Sequence, residues 1–191
     1  MRLAVIGSTN GTDLVPIVSA INSGELLASV EVIISNNELS GILKKASAYG
    51  IEGHFICHKN KKRDVFDLEM SQILESKKID LILLIGFMRI LSSEFVDRWF
   101  GKIVNVHPSL LPKYAGGMNS DVHKSVLDAG DKETGCTIHL VTKEVDGGPI
   151  LLQKSCPVFE NDSIDSLKER VQKLEGEAFI EIINNWSNNE Y

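Results

Sequence analysis

An α/β fold built on a mostly parallel, doubly wound (Rossmann-like) sheet is what this sequence of 191 residues predicts. Three observations carry the expectation. Short apolar runs alternate with stretches whose apolar residues recur every three or four positions, the pattern of strands alternating with helices. Ile, Leu and Val are plentiful while aromatics make up only 6% of the chain, the mixture that suits strands covered on both faces. Glycine closes the first and fourth runs, at Gly7 and Gly86, where a strand must turn into the next segment. With 43% apolar residues the chain can fill one core, so a single domain over 1–191 is expected.

The elements follow in order. Arg2 to Ile6 reads as a strand, and G-S-T-N-G-T-D (7–13) as the loop after it. Leu14, Ile17, Val18 and Ile21 fall at helical spacing, with Thr12 or Asp13 as candidate cap and Pro16 tolerated in the first turn. Leu27 to Ser35 reads as the second strand and Leu39 to Tyr49 as the helix behind it. His54 to Cys57 is a short third strand, and Phe66, Met70, Ile73 and Leu74 line a third helix. Ile79 to Ile85 is almost continuously apolar, as a strand buried on both faces would be. A short helix over Ser92 to Trp99 precedes a strand from Ile103 to Val106. After a long polar, glycine-containing stretch, Gly135 to Val141 and Pro149 to Lys154 read as two further strands, an antiparallel C-terminal region. Ile164, Leu167, Val171, Leu174, Ala178 and Ile182 mark the final helix.

Charge and cysteine usage limit the partners. A formal net charge of −6 argues against a nonspecific nucleic-acid binder, since neutralising phosphates takes clustered Lys and Arg. The one basic run, Lys59 to Arg63, is short and reads as a solvated helix entrance. Cys57, Cys136 and Cys156 are far apart and form no C-x-x-C pair. His54, Cys57 and His58 are the best metal candidates, yet no second ligand pair follows at zinc-finger spacing, so no metal is expected. No run approaches the ~20 apolar residues of a membrane span, and the expected location is the cytoplasm.

Three segments could carry chemistry. Gly7 and Gly11 would let the 7–13 backbone approach a ligand, with a helix N-terminus behind them; an ordinary tight turn explains the loop as well. In N-V-H-P-S-L-L-P-K-Y (105–114), Asn105 and His107 share one face at a strand end. An amide that donates to a developing oxyanion beside an imidazole that moves a proton suits acyl transfer. By itself, a buried Asn and His that satisfy each other at a turn is the plainer reading of that pair. In D-G-G-P (146–149), Asp146 could orient the histidine, although the tetrapeptide is also good turn chemistry.

Together these segments resemble the folate-dependent formyltransferases. G-F-M-R-I-L (86–91), H-P-S-L-L-P-K-Y (107–114), G-C-T-I-H-L-V (135–141) and V-D-G-G-P-I-L-L-Q (145–153) stand in the order of the glycinamide ribonucleotide formyltransferases, and the likeness runs from Met1 to about Trp186. The resemblance implies formyl transfer from 10-formyltetrahydrofolate, as co-substrate, to the amine of glycinamide ribonucleotide in purine synthesis. It implies direct attack through a tetrahedral intermediate, with neither metal nor covalent enzyme intermediate. A homodimer is left open.

By the same resemblance, Asn105, His107 and Asp146 are the catalytic trio. Asn105 and protonated His107 would stabilise the oxyanion while Asp146 positions His107 and a water. The ribonucleotide is expected on Asn10, Gly11, Thr12 and Asp13, with Gln172 and Glu175 as further contacts. Asp13 stands where the family commonly has Asn, and its carboxylate is expected to turn towards its own helix rather than the phosphate. The folate is expected against Met88, Arg89, Ile90, Leu91 and Asn105, with Thr142, Lys143, Glu144, Val145 and Asp146 opposite and Arg63 at the carrier's glutamate tail. Glu175 sits at the edge of its helix's apolar stripe and either snorkels to solvent or reaches a cleft; Lys168 and Lys173 are expected to face solvent. Gly116 and Gly117 suggest a mobile lid, and His123 is expected at an exposed helix start.

Overall fold

The computed structural model describes residues 1–117 and 119–188. Its strands are β1 (Arg2–Ile6), β2 (Ser29–Ser35), β3 (Gly53–Phe55), β4 (Leu81–Leu84), β5 (Ile103–His107), β6 (Glu133–Leu140) and β7 (Ile150–Pro157). Its helices are α1 (Leu14–Ser23), α2 (Gly41–Ala48), α3 (Arg63–Ser76), α4 (Ser93–Arg98), α5 (Asn119–Asp128) and α6 (Ile164–Ser187). The strands form one seven-stranded sheet in the order β3-β2-β1-β4-β5-β6-β7. Pairings from β3 to β5 are parallel, and β5–β6 and β6–β7 are antiparallel. The expected sheet, with its antiparallel C-terminal region, is therefore present.

Strand periodicity explains how the sheet is covered. In β1, Leu3 and Val5 join the buried cluster beneath α1 and α6, while Ala4 and Ile6 join the cluster beneath α3 and α4. Leu81 and Leu83 against Ile82 and Leu84 repeat the division in β4. Phe66, Met70 and Leu74 of α3 cap one face, and Val171, Ala178, Phe179 and Ile182 of α6 cap the other. Each such side chain contributes about 1.5–3 kcal/mol by leaving water. Ser163 opens α6 with a capping box, its hydroxyl accepting from Ser166 N–H while Ser166 returns the bond.

Several boundaries differ from expectation. β2 begins at Ser29, leaving Leu27 83% exposed on the approach. β3 is Gly53–Phe55 rather than 54–57, because its residues pair with Ile33 to Ser35 and no further. The polar stretch after β5 contains α5, whose start lies at Asn119, ahead of the helix start expected at His123. Of the 115–124 segment, Met118 lies outside the described residues. The exposed position expected for His123 is wrong. It is 1% exposed, buried with Val122 and Val126 on the face that α5 turns towards α6. Burial without a partner for Nδ1 pushes its pKa down to about 4, with Lys168 adding to the fall.

The chain runs outward from β1 to β2 and β3 and then crosses to β4 on the other side of β1. In doubly wound sheets this switch point leaves a crevice beyond the strands' carboxyl ends, where ligands bind.

Candidate active site

The crevice is real: a cavity of about 210 Å³ lies between the loops that follow β1, β4, β5 and β6. Two glycines set its geometry. Gly11 has φ +62°, and a Cβ there would meet the Ile42 side chain at 2.4 Å. Gly86 has φ +58°, and a Cβ there would lie 2.3 Å from Thr9 Oγ1, so the loops after β1 and β4 touch at this point. Gly86→Ala combines a disfavoured backbone with a clash, and we expect it to lower unfolding free energy by about 1–3 kcal/mol in a denaturant titration.

At the deep end, register brings four polar groups together. β5 and β6 pair with Asn105 opposite His139 and His107 opposite Thr137, so all four side chains share a face. The alternate positions, Val104 and Ile138 among them, enter the core. Asn105 Nδ2 lies 3.1 Å from His139 Nε2, and His139 Nδ1 lies 2.9 Å from Leu140 O. With Nδ1–H donating to that carbonyl, Nε2 accepts from Asn105, which leaves the second amide N–H of Asn105 for the cavity. Asp146 then bridges two imidazoles: Oδ2 is 3.3 Å from His107 Nδ1 and Oδ1 is 3.5 Å from His139 Nε2. Its Oδ2 also accepts from Gly116 N–H at 2.8 Å, tying the glycine loop to the site.

The turn that presents Asp146 is unusual for a non-glycine residue, with φ +53°, and Tyr114 is similar at φ +61°. Both residues face His107, whose Nε2 lies 3.0 Å from Tyr114 O. Left-handed backbone costs roughly 1–2 kcal/mol at such residues, so the fold holds these two partners in place against a local preference. Behind them, Thr137 Oγ1 donates to Ser109 O and accepts from Leu111 N–H and Gln153 Nε2, fixing the S-L-L-P loop.

Electrostatics separate the two catalytic candidates. Burial pushes the His107 imidazole below its ordinary pKa, against the opposing pull of the Asp146 charge and the Tyr114 carbonyl; His139 adds to the fall. The shift favours the neutral form of the imidazole in the free site. Burial works to raise Asp146, but the neighbouring His139 and His107 imidazoles and the Gly116 N–H bond more than offset it, so its carboxyl sits below the usual range.

The other walls differ in chemistry. Gly11, Thr12, Asp13, Gln172 and Glu175 line the cavity, as do Met88, Arg89, Ile90 and Leu91 and the segment from Thr142 to Asp146. Two expected members stay outside the lining. Asn10 is exposed, its carbonyl accepting from Lys45 Nζ at 2.8 Å. Arg63 is the exposed first residue of α3, and its charge acts on Asp67. Glu175 reaches the cleft at 7% exposure instead of snorkelling. Asp13 makes no cap bond to its helix; its carboxyl is hydrogen-bonded to that of Glu175. Lys168, expected in solvent, is half-buried and acts on Glu175.

Two contributors escaped sequence reasoning. His139 is one, although a polar residue alternating with buried Cys136 and Ile138 was a usable sign. Asp67 is the other: 2% exposed on α3, it accepts from Ser92 N–H at 2.5 Å at the end of the 86–92 segment. Burial raises its pKa against the Ser92 bonds and the charges of Arg89 and Arg63. Arg89 also stacks over Phe66, 4.8 Å from the ring centroid. Among the described residues, no group of three or more His, Cys, Asp or Glu is placed to hold a metal ion. His54 and His58, the sequence's candidates, turn to Glu52 and Asn36 respectively. No described helix is long and apolar enough to cross a membrane.

Residues 1–183 of this doubly wound chain match the formyl transferase family, to which the chain belongs. Within that family the chain is 37% identical to the phosphoribosylglycinamide formyltransferase of Escherichia coli (strain K12), over 97% of this chain and 86% of that protein. It is 42% identical to the trifunctional purine biosynthetic protein adenosine-3 of Bos taurus, but covers 93% of this chain and only 17% of that one. The chain therefore spans about a sixth of the length of such animal relatives. Glycinamide ribonucleotide transformylase 1 of Symbiobacterium toebii superposes with a TM-score of 0.93 at 31% identity, over 98% of this chain and 88% of its own.

Proposed function

We propose that this chain transfers the formyl group of 10-formyltetrahydrofolate to the amine of glycinamide ribonucleotide. The observation that carries the reading is that Asn105, His107, His139 and Asp146 line one cavity together with two unlike sets of residues. One is a polar end at the α1 N-terminus, where backbone N–H groups can meet a phosphate. The other is an apolar wall that fits a flat heterocycle, with Phe87, Met88, Ile90, Leu91 and Val141 among its residues. The E. coli relative, named for this reaction, supports the choice of substrates.

The folate supplies a formyl group already activated on nitrogen. Asn105 directs its free amide N–H at the oxygen that becomes negative during transfer. His107, neutral at rest, takes up a proton as the amine attacks and can return it to the leaving nitrogen. The ionised Asp146 carboxylate stabilises the imidazolium formed in between. His139 and Leu140 O hold Asn105 in its productive orientation. The bond made is nitrogen to formyl carbon; the bond broken joins that carbon to the carrier.

Asp67 is a positioning residue in this scheme, since it fixes Ser92 and the Arg89 segment without lining the cavity. Asp67→Asn keeps an acceptor for Ser92 N–H but loses the charge facing Arg89. We expect KM for the folate to rise about 3–10-fold while kcat changes less than about 3-fold, on the scale of one charge-assisted hydrogen bond weakened. The deciding experiment for the function is formyl transfer by purified protein that requires both substrates. In solution the reading also covers a cytoplasmic enzyme that acts alone or as a homodimer; sedimentation of the protein with and without substrates distinguishes these.

A further inference from the structure

We propose that Asp13 and Glu175 hold one shared proton that keeps the polar end of the cavity from carrying two negative charges, and that a sugar phosphate binds less well once this proton is lost. The inference rests on the reading of the α1 N-terminus as a phosphate site, and it concerns the acid at residue 13 of this chain.

Burial of two acids at one cavity favours a shared proton. Asp13 is 5% exposed and Glu175 is 7% exposed, both line the cavity, and each carboxyl acts on the other. Two carboxylates buried together repel each other, and a hydrogen bond between them needs one proton, since an ionised carboxylate only accepts. The second Asp13 oxygen, Oδ1, is buried with no partner, as an oxygen at a ligand's place would be. A protonated carboxyl is neutral and nearly isosteric with an Asn amide. The pair thus gives an acid at position 13 the charge of an amide.

The surroundings favour retention of that proton. α1 carries no charged residue between Leu14 and Ser23. On α6, Lys168 acts on Glu175 and draws its pKa down, while burial and the Asp13 charge raise it. From β6, Cys136 faces both acids, and burial together with their charges pushes its thiol pKa far up, so it stays neutral; Lys154 of β7 acts on that thiol. His123 of α5 faces Lys168 and is neutral above about pH 4. Burial lifts Asp13 to about 7 against the Glu175 bond, and holds Glu175 well above its ordinary value.

The sign follows. A raised pKa means that the protonated pair persists into neutral pH, and a phosphate dianion binds that form better than the doubly ionised one. Affinity therefore falls as pH rises through the pair's titration, by at most about tenfold per pH unit for one proton. Phosphate itself gains its second charge near pH 6, so the window to examine lies from about pH 7 to about pH 9.5.

Two measurements test this on the whole chain. Infrared spectra at about pH 8 should show the C=O stretch of a protonated carboxylic acid that is absent from the double variant Asp13→Asn/Glu175→Gln. Calorimetric titration with ribose 5-phosphate should show affinity falling at least 5-fold across that window in the wild type and less than about 2-fold in Asp13→Asn. Circular dichroism confirms that each variant is folded, and Glu175→Gln serves if Asp13→Asn is not. An unchanged infrared band, parallel pH profiles, or no binding of ribose 5-phosphate at all would each overturn the inference. A chain that binds ribose 5-phosphate with this pH slope yet transfers no formyl group keeps the inference and loses the proposed function.

Discussion

His107→Ala is expected to lower kcat for formyl transfer by about 10²–10⁴-fold, the range of a lost general acid–base group, with KM for the ribonucleotide within about 3-fold. The split follows from position. His107 lies at the end of β5 beside Asp146, whereas Gly11, Thr12, Asp13 and Glu175 belong to the α1 entrance and α6. Folding should survive, because the main-chain pairing of His107 with Thr137 needs no imidazole. Steady-state kinetics with each substrate varied in turn makes the check. Near-normal kcat would remove His107 from the chemistry, whatever happened to KM.

Asp146→Asn should be nearly as damaging, lowering kcat by about 10²–10⁴-fold, as when a histidine loses the carboxylate that orients it and stabilises its charge. An amide oxygen can still accept from Gly116 N–H, so the loop tie at 2.8 Å can persist. The charge cannot. Asp146 raises the His107 pKa against burial, and its loss lets that pKa fall further. The limb of the pH–rate profile governed by His107 should therefore move to lower pH in the variant. A limb that stays in place, with kcat reduced, would mean that Asp146 acts on the loop and not on the imidazole.

These two expectations rest on groups that sequence alone exposed unequally. The strands were legible because burial on both faces leaves nearly unbroken apolar runs, as at Leu81 to Leu84. Residues 105–107 were legible as a pair because strand alternation is a local rule. His139 was hidden because only the β5–β6 register puts it opposite Asn105, and no local rule states which strands pair. The partner of Asp13 was hidden in the same way: Glu175 meets it through the packing of α6 on α1. Expecting Asp13 to cap its own helix applied a sound local preference that a long-range carboxyl contact overrode. For α5, a helix start was expected at His123, but Val122 and Val126 give too sparse an apolar stripe to reveal its buried face, which contact with α6 supplies. Arg63 was placed at the folate by resemblance across a loop, whereas α3 sets it outside the cavity near Asp67.

The trio of Asn105, His107 and Asp146 alone understates the site. Asn105 can present its amide to a reacting oxygen only while something fixes its orientation, and His139, held in turn by Leu140 O, does so. Preorganised donors of this kind contribute more than mobile ones, since they need no reorientation as charge develops.

The central claim is the coupling of two substrates at one cavity, and its most direct measurement is folate consumption by purified protein, followed spectrophotometrically with and without glycinamide ribonucleotide. The account predicts that 10-formyltetrahydrofolate is consumed only when the ribonucleotide is present, with formylated ribonucleotide formed in equal amount. Consumption without the ribonucleotide would make the chain a hydrolase, and no consumption in either case would contradict formyl transfer to this acceptor.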